Sequence, residues 1–143
     1  MAFRPKILAL ANKITLEART GIPNVPSDPE YRILNEVVTD EQADVALACK
    51  VRQALTLEEI AKKCGKPLDV TRKLLWELGD EGVIVFYTDP ADGIEYYYMP
   101  CWVPGIMEMM VGNKAQVEAH PEIARCFDEY TLRNRKRMTP NLP

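Results

Sequence analysis

The chain has 143 residues, 47% of them apolar and 27% charged, with a net charge of −3 and a pI near 5.3. That is enough apolar material for one domain with a helical appendage, and it lacks the cationic excess typical of a nucleic-acid binder. No apolar run approaches the ~20 residues of a membrane span. The basic start is interrupted by Asn12 and Glu17 and shows no cleavage site, so neither anchor nor secretory leader is expected and a cytoplasmic home is the default.

In chain order, 6–19 places Ile7, Leu8, Leu10, Ala11, Ile14 and Ala18 near helical spacing, which predicts a first helix. Three prolines follow between Pro23 and Pro29, so this stretch reads as an arm or linker, and 31–38 is ambiguous. The segment 1–38 is expected as a helix plus a proline-rich arm that wraps the domain or a second copy.

From Thr39 the signals sharpen. "TDEQADVALACKVRQA" opens with a cap at Thr39 or Asp40 and predicts a helix carrying Ala43, Ala46, Leu47 and Val51 inward. In "LTLEEIAKKCGKP", Thr56 and Glu59 form a capping box, Gly65 stops the helix, and Pro67 opens the next one. That third helix presents Val70, Leu74, Leu75 and Leu78 as its buried stripe, with Gly82 just past its end. "VIVFY" and "IEYYYM" then read as strands joined by "TDPADG". Three helices followed by a β-hairpin predict a winged helix over 39–100: a mainly α fold with a small hairpin, a three-helix core and a wing. The segment 101–143 is expected as a helical extension, with Ile123, Ala124, Phe127 and Tyr130 on one face, leading into a proline-rich linker, "MTPNLP".

A winged helix that reads DNA lays its third helix in the major groove and brings cations to the phosphates. Here 67–99 holds two cations, Arg72 and Lys73, against seven acids, Asp69, Glu77, Asp80, Glu81, Asp89, Asp92 and Glu95, a net of −5. The wing has no Lys or Arg at all. Nucleic acid is therefore not the expected partner. If DNA were met, the contacts would be Thr71, Arg72, Lys73 and Trp76, the arrangement of a transcriptional regulator.

The hairpin strands lack the alternation of a half-solvated ribbon, which predicts that both faces are covered. The second cover is either the chain's own 101–111 or another domain or subunit. Phe86, Tyr87, Tyr96, Tyr97 and Tyr98, with Trp102, Met107 and Met110, are the candidate docking residues, because aromatics and methionines are favoured at interfaces.

Catalytic chemistry finds little footing. No Gly-rich phosphate loop is present, the lone Ser27 lies among prolines, and His120 before Pro121 reads as a helix start. Cys49, Cys64, Cys101 and Cys126 include no Cys-x-x-Cys pair, so no metal site is expected in this segment. Cys64, near Lys62, Lys63 and Lys66, reads as a buried helix-end thiol before it reads as an activated one. The run "RNRKR" at 133–137 reads first as a cationic helix end, and second as a contact for a phosphate-bearing partner.

"TDEQADVALACKVRQALTLEEIAKKCGKPLDVTRKLLWELGDEGVI", and more specifically "YYYMPCWVPGIMEMMVGNKAQVEAHPEIARCFDEYT" with the ending "MTPNLP", resembles the N-terminal region of large bacterial iron–sulfur flavoprotein oxidoreductases of the pyridine nucleotide-disulfide class. The likeness runs from about Asp40 to Pro143. It implies a non-catalytic, docking front end of a longer redox enzyme whose other parts hold iron–sulfur clusters, FAD and NAD(P). None of that family's cluster cysteines or nucleotide-binding glycines has a counterpart here.

Overall fold

Ile7, Leu10, Ala11 and Ile14 sit at i, i+3, i+4 and i+7 and have no solvent exposure, so α1 (Pro5–Ala18) is a helix with one wholly buried stripe. The computed structural model describes residues 2–138, the last two by backbone alone; the proline-rich end from Thr139 lies outside them. α1 is followed by α2 (Pro29–Val37), with Pro29 at its first position. Next comes α3 (Asp40–Ala46), closed by a reciprocal box in which Thr39 Oγ1 accepts from the Gln42 N–H and the Gln42 side chain accepts from the Thr39 N–H.

α3 is shorter than its sequence predicts. The chain leaves the helix after Ala46 because the backbone at 50–52 pairs instead with Met99: Met99 N–H donates to Lys50 O at 3.0 Å, and Arg52 N–H donates to Met99 O at 2.9 Å. Arg52 takes a left-handed φ of 61° to make that exit. Val51, expected on the helical stripe, therefore flanks the sheet.

β1 (Leu55–Thr56) leads into α4 (Leu57–Cys64), which starts with the Thr56–Glu59 box and ends on Gly65 at φ 70°. α5 (Leu68–Glu81) begins one residue later than predicted, with Pro67 as the extended cap residue. Its buried stripe is Thr71, Leu74, Leu75 and Leu78, and Val70 faces outward. Thr71 replaces Val70 because its hydroxyl donates back to Pro67 O at 2.8 Å, which lets a polar residue enter the core satisfied.

Gly82 closes α5 at φ 95°, and a Cβ there would stand 3.0 Å from Met109 Cβ and 3.1 Å from Met110 N. Only glycine meets both the left-handed turn and that close approach.

The hairpin strands β2 (Val85–Thr88) and β3 (Glu95–Tyr98) pair antiparallel, with Phe86 opposite Tyr97 and Tyr87 opposite Tyr96. β1 joins the far side of β3, so the sheet order is β1-β3-β2. Three further helices follow, α6 (Ile106–Val111), α7 (Lys114–Ala119) and α8 (Glu122–Met138). His120 ends α7 rather than opening α8, and its Nδ1 lies 3.2 Å from Glu36 Oε1. α8 buries Ile123, Cys126 and Tyr130, while Ala124 is exposed.

Residues of 1–38, 39–100 and 101–138 share one core. Ile7, Leu10 and Ile14 of α1 are joined there by Ile33 and Leu34 of α2, Leu75 and Leu78 of α5, Tyr97 of the sheet, and Trp102, Met107 and Cys126 beyond it. The N-terminal region supplies a full layer of it. Its α2 lies along α8, and the seam is charged: Arg32 of α2 pairs with Glu122 and with Glu129, the latter at 2.6 Å, while Arg133 of α8 reaches back to Glu30 and Asp28. The molecule is thus mainly helical, with one small three-stranded antiparallel sheet.

Candidate interaction surface

The leucines of α5 anchor one side of that helix in the core, which leaves Trp76 and Gly79 to carry the hairpin on the other. Phe86 lies against Trp76 with ring centroids 4.5 Å apart, and Tyr97 follows at 6.0 Å from Phe86. Gly79 makes room for the crossing, since a Cβ on it would come 2.6 Å from Phe86 Cε1. Strand periodicity then sorts the aromatics: Phe86, Glu95 and Tyr97 face α5, and Tyr87, Tyr96 and Tyr98 face away.

Glu95 is the hub of the inner side. It accepts from Trp76 Nε1 at 3.2 Å and from the Tyr97 hydroxyl, and Arg72 Nε lies 3.4 Å from it. Burial opposes its ionisation, but the hydrogen bonds from Tyr97, Trp76 and Arg72 outweigh that and hold its pKa below the usual carboxylate range. Burial, with the bond to Glu95, pushes the Tyr97 phenol up to about 12. The Arg72 guanidinium also lies over the Trp76 ring, 4.8 Å from its centroid. The cation that the alternative, DNA-reading arrangement would need is therefore engaged twice within the chain.

The other DNA-contact candidates fare differently. Thr71 is fully buried and cannot touch a ligand. Lys73 is exposed, 3.8 Å from Glu77 one turn on. Trp76 is 40% exposed but braced by Phe86 and Arg72.

Of the docking candidates, five are corrected by their burial. Tyr97, Trp102, Met107 and Met110 have no solvent exposure, and Phe86 faces inward against Trp76. Trp102 donates its indole N–H to Thr15 Oγ1 at 2.9 Å in the core, and α6, which carries both methionines, lies against α7 and α8. Aromatic and sulfur side chains that read as an interface are here the chain's own interior.

What remains outward is Tyr87, Tyr96 and Tyr98. Tyr87 is 45% exposed and touches both of the others, at centroid distances of 5.7 Å to Tyr96 and 6.4 Å to Tyr98. The Tyr96 hydroxyl donates to Asp92 Oδ2 at 2.7 Å, and that bond to an anion, with some burial, pushes the phenol up to about 12. The result is a pre-ordered tyrosine ladder rimmed by Asp89 and Asp92. The lone charge in "IEYYYM" was the one signal that could have marked Glu95 as the organiser of the inner face.

Reactive groups are scarce. Burial raises the Cys49 and Cys126 thiols to about 12, which keeps them protonated. Cys101 is buried as well, and Cys64 is half-buried with Sγ directed at Ala61 O. Among the described residues no group of three or more His, Cys, Asp or Glu side chains is placed to hold a metal ion, and no helix is long and apolar enough to cross a membrane. No protein-family model matches the chain, and no curated protein matches it.

Proposed function

We propose that the chain is a winged-helix-like docking domain, non-catalytic in itself, that joins a larger iron–sulfur and flavin oxidoreductase in the cytoplasm to its neighbouring domains or subunits. The order α3-β1-α4-α5-β2-β3, with β3 central, supports the winged-helix reading. The resemblance of 40–143 to oxidoreductase N-terminal regions supports the setting. The observation that carries the docking reading is the outward tyrosine ladder of Tyr87, Tyr96 and Tyr98, while on the opposite face of the hairpin Arg72 is already held by Glu95 and Trp76. A rigid aromatic face with an acidic rim suits a protein partner and repels a polyanion.

The test has two arms. Material captured by the immobilised chain from its source cells is expected to show flavin and iron–sulfur absorbance, and to be lost with the double variant Tyr87→Ser/Tyr96→Ser. In the second arm, random duplex DNA is titrated at physiological salt. Binding at the ~10⁻⁴–10⁻⁶ M level of non-specific recognition, weakened by Arg72→Ala, would replace this reading with that of a transcriptional regulator.

A further inference from the structure

The exposed side of α5 is a second surface, separated from the tyrosine ladder by the hairpin itself. Asp69, Arg72, Lys73, Trp76, Glu77 and Asp80 line a shallow groove of about 420 Å³ along it. Of its two cations, Arg72 is held by Glu95, while Lys73 is well exposed and lies 3.8 Å from Glu77. Asp69 and Asp80 are both exposed, and among the described residues neither carboxylate has an ion-pair partner. Trp76 lies between them, with 40% of its surface open.

The spacing is informative. Asp69, Trp76 and Asp80 stand at i, i+7 and i+11, which is one face of a helix, and the two carboxylates are about 16 Å apart along its axis. A partner helix laid antiparallel to α5 would meet them with cations at its own i and i+11 and an apolar residue at i+4; laid parallel, the apolar residue falls at i+7. These positions form the apolar-and-basic stripe of a cationic amphipathic helix.

We propose that the α5 face docks a basic amphipathic helix of a partner protein, with Asp69 and Asp80 receiving its cations and Trp76 its central apolar side chain. Charge complementarity selects that occupant: the carboxylates of Asp69 and Asp80 have no ion pair among the described residues, so they favour guanidinium or ammonium groups by Coulomb attraction, and the 40% of Trp76 left exposed takes an apolar contact. The inference is independent of the tyrosine ladder, because that ladder lies on the opposite face of the hairpin.

A synthetic helix of about 16 residues tests it, with Arg at i and i+11 and Leu at i+4 and i+7, alongside a scrambled peptide of the same composition. Trp76 emission reports binding, since Trp102 is wholly buried. The designed helix is expected to bind at least tenfold tighter than the scrambled one. Asp69→Asn/Asp80→Asn, which alters only exposed side chains, should cost tenfold or more and flatten the salt dependence. Tyr87→Ser/Tyr96→Ser should leave the affinity unchanged, which separates this surface from the ladder. Equal binding of the scrambled peptide, full affinity in the asparagine variant, or no binding at all would each overturn the proposal.

Discussion

The hydroxyl of Thr15 on α1 accepts the indole N–H of Trp102 at 2.9 Å and the side-chain amide of Asn24 at 2.8 Å, so one buried oxygen ties the first helix to the segment after the hairpin. Removing it by Thr15→Val leaves two buried donors without an acceptor. The expected loss is about 1–3 kcal/mol, read from the urea midpoint, whereas Thr15→Ser keeps the oxygen and should lose far less. Equal losses in the two variants would show that the hydroxyl counts for no more than the methyl group.

The seam between α2 and α8 offers a sharper cycle. Glu30 is 3% exposed and depends on Arg133. Arg133→Met strands a buried carboxylate and should destabilise on the order of 3 kcal/mol. Adding Glu30→Gln removes the stranded charge, so the double variant is expected to recover part of the loss, and simple additivity in chemical denaturation would exclude the coupling.

Glu81 predicts a pH dependence. Burial, which the bond to Gln42 only partly offsets, together with its acidic neighbours Glu77 and Asp80, lifts its pKa from an ordinary 4.5 to about 7. The folded chain therefore binds this proton more tightly than the unfolded chain. The stabilisation is fully present below about pH 4.5 and is lost as pH rises through 7. Glu81→Gln mimics the protonated form. Thermal melts should find the variant close to the parent at pH 5 and more stable than it at pH 8; a constant difference across that range would sink the assignment.

Gly82→Ala should cost about 1–3 kcal/mol, because alanine is strained at φ 95° and its Cβ would press on the Met109–Met110 backbone. The loss should appear as a lowered melting temperature. Gly65→Ala faces open space at φ 70°, so it isolates the strain without the contact and is expected to cost less.

Local chemistry was legible in the sequence; phase and long-range competition were not. The Thr56–Glu59 box could be read because cap and helix lie within four residues. The end of α3 could not, because the backbone that displaces it belongs to Met99. In "YYY" every residue suits either side of a strand, so only the position of α5 decides that Tyr97 goes in while Tyr96 and Tyr98 come out. The stripe of α5 slipped by one for a related reason: Thr71 counts as polar until its hydroxyl finds Pro67 O. Trp102, Met107 and Met110 misled because interiors and interfaces draw on the same residue types, and burial alone separates them.

The crossed arginines of α2 and α8 act as a vernier. Sliding one rod along the other by a turn would carry Glu30 toward Glu129 and draw Arg32 off one of the two carboxylates that flank it. Only one alignment satisfies every charge, so a pull along the two rods meets shear resistance along the whole joint instead of peeling it open from one end.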